Sequence, residues 1–248
     1  MQPMDRKKLD QKIFYTMGKF SIIIPTLNEE KNLKLLVEKI FYYLKRFNFE
    51  IIIVDDNSSD NTKSVLNYLK KRYANFTFII RKGTPDLSQS VIEGFEKSKY
   101  ESILVMDADM QHNPIYLPRM ATLFFKRNKD FVVAVRDFNK KLGINFIRKN
   151  FSKTVIAFIN YIFGFKTKDP MSGFFIFKKK FYKKNKKKLF GKGFKILFDL
   201  LYSEKILDVQ DFSIKFDMRK NNASKVSLKI FFLLIRVIFF KFQQNKFN

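Results

Sequence analysis

Ile103-Leu104-Val105-Met106-Asp107-Ala108-Asp109-Met110-Gln111-His112-Asn113-Pro114 ends an apolar run in two carboxylates one residue apart. Alternate residues of an extended chain point to the same side. If the strand continues through this stretch, Asp107 and Asp109 face one point and can hold a hard divalent cation, Mg²⁺ or Mn²⁺. Gln111 keeps the same register and adds a carbonyl oxygen. A plainer reading has Asp and Pro closing a strand and opening a turn, where both residues are common. Two upstream segments of the same form weigh against it.

Those segments are Phe20-Ser21-Ile22-Ile23-Ile24-Pro25-Thr26-Leu27-Asn28-Glu29-Glu30 and Glu50-Ile51-Ile52-Ile53-Val54-Asp55-Asp56-Asn57-Ser58-Ser59-Asp60-Asn61-Thr62. Apolar runs bounded by turn residues read as strands buried on both faces. Each is followed by a helix-period segment, residues 31–47 and 62–73. The alternation βαβαβ implies a parallel sheet. In open α/β sheets ligands bind beyond the carboxyl ends of the strands. Glu29, Asp56, Asp107 and Asp109 all stand at such ends and are expected to share one crevice. No glycine-rich dinucleotide fingerprint and no Gly-Lys-Ser/Thr phosphate loop follows the first strand, which argues against a dehydrogenase or a P-loop ATPase. The chain has no Cys and one His, so Cys nucleophiles, redox dithiols and His-rich zinc sites are excluded. The lone His112 reads as a turn residue or as support for the acidic loop, with a direct role at the site as the alternative.

Taken in order, these markers resemble the inverting GT-A-type glycosyltransferases, and within them the polyprenyl-phosphate group typified by dolichyl-phosphate mannose synthase. The markers are Pro25 to Glu30, Val54 to Thr62, Val91-Ile92-Glu93-Gly94-Phe95, Met106 to Pro114, Val133-Ala134-Val135-Arg136, Asp169-Pro170-Met171-Ser172-Gly173-Phe174, and Arg219 with Ser224-Lys225. The resemblance covers nearly all of residues 20–226 and implies a three-layer α/β sandwich with a mostly parallel sheet. It implies that Pro25, Leu27 and Glu29 line the base and ribose of a nucleotide-diphosphate sugar, with Val54 and Asp56 completing that pocket. Asp107, Asp109 and Gln111 would bind the metal that bridges the donor phosphates, and Ala108 would back the ribose. Arg136, Arg219 and Lys225 match basic positions that handle donor diphosphate and acceptor phosphate. The acceptor implied is a polyprenyl phosphate of the dolichyl or undecaprenyl type. The donor is GDP-mannose by first expectation and a UDP-hexose by second. A soluble glycan acceptor would instead call for a carboxylate base near Asp169. The chain departs from the family pattern twice, at Thr84-Pro85-Asp86-Leu87-Ser88-Gln89-Ser90 in place of a glycine-rich turn, and at Asn222 in place of a glycine.

Composition bounds the context. A chain of 248 residues holds one sizeable α/β domain and an appendage. Net charge is +26, from 49 Lys and Arg against 23 acids. Such an excess suggests an anionic partner, although abundant Lys, Asn, Ile and Phe also follow from AT-rich coding sequence. No nucleic-acid motif appears, so no nucleic-acid partner is expected; a non-catalytic basic binding protein on the same scaffold is the alternative that charge alone supports. From Lys140 onward basic residues interleave with Phe, Ile and Leu. Residues 144–163 repeat apolar side chains every three or four positions, the pattern of an interfacial helix or of a helix packed on the sheet. The resemblance favours the interfacial reading. Residues 227–242 form a second apolar stretch, about half the roughly 20 residues that a membrane span needs and interrupted by Arg236. It is expected to lie on a bilayer. The Lys-rich run within residues 181–195 reads as a solvated face. The segment 1–19 lacks a signal-like apolar core, and the lack of Cys fits a reducing compartment. The division expected is a basic extension at 1–19, the catalytic domain at 20–226 and a membrane-associating segment at 227–248, in a cytoplasmic protein attached peripherally to the membrane.

Overall fold

A computed structural model describes residues 18–136, 146–193, 195–215 and 228–246, with the backbone alone at 146–153, 228–234 and 245–246. Arg219, Lys225 and Asn222 lie outside the described residues, as do residues 1–17 and Ile144. Among the described residues seven strands form one sheet: β1 (Phe20–Thr26), β2 (Phe49–Asp55), β3 (Phe76–Ile80), β4 (Ser102–Val105), β5 (Phe131–Arg136), β6 (Phe175–Lys178) and β7 (Val209–Ile214). Their spatial order is β3-β2-β1-β4-β6-β5-β7. Only β6 runs antiparallel to its neighbours. The α/β class and the mostly parallel sheet expected from the strand-helix alternation are present.

The helices are α1 (Glu30–Tyr43), α2 (Thr62–Arg72), α3 (Leu87–Lys97), α4 (Leu117–Lys126), α5 (Phe146–Phe163), α6 (Lys180–Asn185), α7 (Ile196–Leu201) and α8 (Leu228–Lys246). Strand side chains alternate between two apolar layers. Ile22, Ile24 and Leu104 pack with Leu33, Leu36, Val37 and Ile40 of α1, Leu66 and Leu69 of α2, and Met120 and Phe124 of α4. Ile23, Ile103 and Val105 face the other way, onto Val91 and Phe95 of α3, Ile156 and Ile159 of α5, Tyr182 of α6, Leu197 and Phe198 of α7, and Val237 of α8. Both faces of the sheet are thus covered, which is why β1 and β2 read as unbroken apolar runs.

Both segments expected to be interfacial are helical and both pack on the protein with one side. Ile156 and Ile159 of α5 are buried, whereas Phe158 and Tyr161 are exposed, followed by exposed Phe165. In α8, Val237 and Lys241 are buried while Ile235, Phe239 and Phe242 are exposed. Each helix thus packs on the protein with one side and leaves apolar side chains exposed on the other.

The Lys-rich run is a solvated helix face, as expected, with Lys183, Lys184, Lys186, Lys187 and Lys188 all exposed. It forms α6 and a short 3-10 turn, Lys186–Lys188, with Phe181 and Tyr182 buried beneath. Its lysines pair with acids of other elements: Lys183 with Glu101 at 2.7 Å, Lys184 with Glu204 at 2.9 Å and Lys186 with Glu96 at 2.5 Å. Periodicity within the run carries no trace of those partners, because they come from distant sequence.

Gly94 brings α3 close to the sheet, since a Cβ there would lie 2.3 Å from Ile23 Cγ2. A methyl cannot be absorbed by a β-branched side chain that is itself fully buried. Gly94→Ala should therefore lower stability by about 1–3 kcal/mol, read as a lower denaturation midpoint in urea.

Candidate active site

The carboxyl ends of the six parallel strands lie along one edge of the sheet, and the start of β6 lies there too. That edge carries the loops after β1, β2, β3, β4 and β5 and the turn leading into β6. The first two are stitched together. Asn28, with φ 55°, donates its N–H to Ser58 Oγ at 2.8 Å, and its side-chain oxygen accepts from Ser59 N at 2.8 Å. Asp55 holds Ser58 through the backbone N–H at 3.0 Å and through the hydroxyl. Glu29 N donates to Thr62 Oγ1 at 3.1 Å and Glu30 N to Asp60 Oδ2 at 3.2 Å. Burial alone would raise the Asp60 carboxyl, but hydrogen bonds from Thr62 and the Glu30 amide outweigh it and hold the carboxyl below its ordinary value. The turn-forming residues after β1 and β2 therefore set one rigid wall.

The residues expected around a nucleotide divide by depth. Leu27 and Glu29 are half-buried at the rim, and the Glu29 carboxylate accepts from Asn32 Nδ2 at 2.7 Å. Pro25 is buried in β1, paired with Val54 of β2. Val54 and Ala108 belong to the apolar layers, so they form the floor beneath the crevice. Asp56 is buried and engaged: Arg81 pairs with Oδ1, and the Asp86 N–H donates to Oδ2 at 2.5 Å. Burial pushes its carboxyl up, opposed by the Arg81 charge and these hydrogen bonds. The loop that departs from the family pattern uses Asp86 as the cap of α3, accepting from Gln89 N at 3.0 Å. A capping carboxylate thus orders the start of α3.

The acidic loop after β4 corrects the strand argument. The strand stops at Val105, and Asp107 and Asp109 lie in the bend that follows. Met110 has φ 66°, a left-handed conformation that breaks the alternation before Gln111. Asp109 is buried and its Oδ1 accepts from Gln111 N at 3.1 Å. Asp107 is 35% exposed at its side chain. Its N–H donates to His112 Nδ1 at 3.0 Å, so that nitrogen carries the lone pair in this hydrogen-bond network. The 3.6 Å separation between His112 Nδ1 and Asp107 Oδ2 is then not an ion pair. The buried imidazole fixes the loop from behind, with its ring 5.2 Å from that of Phe174.

Gly173 completes the surroundings of Asp107. A Cβ at residue 173 would stand 2.7 Å from Oδ2 and 2.9 Å from Oδ1. Just before it, Asp169 is fully buried and accepts from Arg136 Nε at 2.6 Å and from Nη2 at 3.0 Å. This two-point pair aims the guanidinium at the end of β5. Both Asp169 oxygens are engaged by it, an arrangement unlike that of an available general base. Lys195, absent from the sequence-based set, donates to Met171 O at 3.4 Å. Its position follows from the chain's return past Gly191 and Gly193, for which strand and helix periodicity give no signal.

Among the described residues, no group of three or more His, Cys, Asp or Glu side chains is arranged to hold a metal ion. The carboxylate pair nevertheless fits Mg²⁺ or Mn²⁺ of the kind that uses one or two protein carboxylates and completes its shell with phosphate oxygens and water. The missing side chain at Gly173 is the feature that keeps space at Asp107. Gly173→Ala should weaken Mn²⁺ binding about tenfold in electron paramagnetic resonance titrations, the scale of change seen when the support of a metal ligand is altered, with little change in the melting temperature. Unchanged Mn²⁺ affinity would detach Asp107 from cation binding.

Comparison with known proteins agrees with this architecture. Dolichol-phosphate mannosyltransferase of Pyrococcus furiosus is 34% identical over 226 residues, covering 89% of this chain and 63% of that protein. The chain thus spans less than two thirds of that relative's length. The dolichol-phosphate mannosyltransferase of Saccharomyces cerevisiae is 29% identical over 226 residues, covering 85% of this chain and 82% of that one. Glucosyl-3-phosphoglycerate synthase from Mycobacterium tuberculosis, solved with Mn²⁺, UDP-glucose and phosphoglyceric acid, has the same GT-A-like fold at a TM-score of 0.69 and 13% identity, covering 96% of this chain and 86% of that one. Residues 21–193 match the model of glycosyl transferase family 2. With β1 from Ser21 through β6, the crevice loops and the acidic loop inside that match, the chain belongs to glycosyl transferase family 2.

Proposed function

We propose that this protein transfers a hexose from a nucleotide-diphosphate sugar to a polyprenyl phosphate at a membrane surface, with inversion at the anomeric carbon. The observation that carries the reading is the pair Asp107 and Asp109 at the mouth of the crevice, with Asp107 set against Gly173. The names of the relatives from P. furiosus and S. cerevisiae support the acceptor class. GDP-mannose is the first donor. A UDP-hexose is the second, favoured by the UDP-glucose complex of the structural neighbour.

Asp107 and Asp109, with Gln111 beside them, would hold the divalent cation. When bound, it would neutralise the donor diphosphate and act as a Lewis acid toward the leaving group. Leu27 and Glu29 stand where base and ribose would rest, over the floor formed by Pro25, Val54 and Ala108, with Asp56 holding Arg81. A lipid phosphate is already an anion near neutral pH, its second pKa being about 6. Its oxygen attacks the anomeric carbon, and the carbon–oxygen bond to the diphosphate breaks, leaving both electrons on the nucleoside diphosphate. No proton has to be removed from the acceptor. The engagement of Asp169 with Arg136 supports this reading over a neutral glycan hydroxyl. Positioning and charge compensation then supply the rate, with Arg136, Arg219 and Lys225 offsetting repulsion between two anionic substrates.

Attachment to the membrane rests on the outward residues Phe158, Tyr161 and Phe165 and Ile235, Phe239 and Phe242, together with the net charge of +26. Among the described residues no helix is long and apolar enough to cross a membrane. We place the protein on the cytoplasmic face, attached peripherally.

Two measurements test the reading. Purified protein given native lipid extract and labelled GDP-mannose should yield chloroform-soluble label. Asp109→Asn should reduce the rate at least about tenfold, or roughly 1.4 kcal/mol of barrier, and EDTA should do the same. Full activity in EDTA, or a preference for a neutral alcohol acceptor, would overturn the mechanism. Secondly, the protein should sediment with anionic vesicles and partly release as salt rises. Replacing Phe158 and Phe239 together by Asp should abolish sedimentation while changing stability by less than about 0.5 kcal/mol; equal sedimentation of the variant would remove these helices from the interface.

A further inference from the structure

The segment Gly191-Lys192-Gly193 is held from both sides by groups that the proposed chemistry does not use. Gly191 and Gly193 have φ of 66° and 90°, so the chain turns sharply there. Gly193 donates its N–H to Asp86 Oδ2 at 2.8 Å and accepts at its carbonyl from Ser88 N at 2.8 Å. Gln89 Nε2 donates to the Gly191 carbonyl. The segment is therefore clasped to the start of α3, directly beside the Asp86 N–H that holds Asp56. Two residues later Lys195 bonds Met171 O in the turn that ends at Gly173. One short stretch of chain thus ties the Asp56 side of the crevice to the Asp107 side.

Its third tie leads away from the crevice. Asp199, in α7 and almost fully buried, accepts from Gly191 N at 2.8 Å through Oδ2. Its Oδ1 pairs with Lys241 Nζ of α8 at 2.7 Å. Lys241 has no exposed surface, and its ammonium also donates to Lys188 O at 2.8 Å and Ser203 Oγ at 2.6 Å. Burial pushes the lysine down from its ordinary value, and the charge of Asp199 opposes this. A buried ion pair is seldom the most stabilising choice for a core, and apolar residues of similar size often serve as well or better. Mere attachment of α8 would need no charge. What an apolar residue at 199 could not supply is the acceptor for the Gly191 N–H.

We propose that Asp199 is a positioning residue for the donor side of the crevice: it fixes Gly191 to Gly193 against Asp86, and Lys241 of the C-terminal helix holds Asp199 in place. The inference rests on the nucleotide-sugar reading only for what the crevice binds; the mechanical link stands apart from it. Asp86 and Asp56 keep their geometry because this segment backs them. The outward side of α8, with Ile235, Phe239 and Phe242, takes no part.

The test compares two double variants that both remove the charges. Asp199→Asn with Lys241→Met keeps an acceptor for Gly191, whereas Asp199→Leu with Lys241→Met keeps the packing and loses the acceptor. Amide hydrogen exchange over residues 84–93 and 189–193 should rise about tenfold in the Leu/Met variant and stay near wild type in the Asn/Met variant. Binding of GDP or UDP with Mn²⁺, measured by calorimetry, should weaken about fivefold or more in the Leu/Met variant alone, the lower end of ordinary coupling between sites. Vesicle sedimentation should be equal in both. Matching exchange and affinity in the two variants would overturn the proposal. So would a change confined to residues 189–193, since the link to Asp86 would then be absent. Should the Leu/Met variant not fold, the wild type decides: the Gly191 and Gly193 amides must be protected from exchange, and exchange at the rate of an unbonded loop refutes the clasp. A wild type that binds neither nucleotide overturns the nucleotide-sugar reading, while the exchange comparison still judges the link itself.

Discussion

Parallel pairing of β1 with both β2 and β4 is the constraint from which the molecule's other features follow. Parallel strands need crossover connections on the sheet faces, and those helices bury the strands on both sides. The same geometry sends each strand's carboxyl end to one edge. Polar loops cannot be buried there without partners, so they meet one another at the surface. The crevice is the consequence. Its floor is apolar because strand residues such as Val54 still belong to the core, and its walls are polar because the strands have just ended.

Charge at this edge is arranged by pairing more than by number. Asp56 is matched to Arg81, and Asp169 to Arg136. Removing one partner of a buried pair costs far more than the pair contributes, since it strands the other charge. These pairs therefore fix geometry. Asp107 differs in being half-buried, backed by His112 and faced by a glycine. A carboxylate so placed is suited to an external cation, whereas Asp56 and Asp169 are suited to holding arginines. Aspartates that look equivalent in sequence separate into two kinds once their neighbours are known.

The helices α5 and α8 bury one side in the core and leave the other exposed. Ile156, Ile159 and Val237 bury against α3, α6 and α7, and their neighbours on the opposite side present aromatic rings outward. A long cationic side chain, Lys241, points inward, where it meets Asp199. The excess of positive charge is thus not all available to an anionic surface. Part of it pairs with the chain's own acids, at the surface as well, as the pairs of Lys183, Lys184 and Lys186 show.

Strand and helix order, and the edge on which the acids gather, could be read from the amino acids alone. Apolar runs, their turn residues and the alternation of periods are local signals, carried within a few residues of chain. The placement of Asp107 and Asp109 after β4 and of Glu29 after β1 was legible for that reason, whereas Leu27 was named only through the resemblance to the family. Whatever depends on residues far apart in the chain was settled only by folding. The extended reading of Asp107 to Gln111 failed because β4 ends at Val105 and Met110 then turns left-handed, with His112 and Phe174 packed behind the loop. Gly173 carries meaning only beside Asp107, and Asp169 only beside Arg136. Asp199 looks like one polar residue in an apolar helix until Gly191 and Lys241 are seen on its two oxygens. Hydrogen bonds and ion pairs are selective in distance and direction, so partners separated by dozens of residues become visible only when the chain has brought them together.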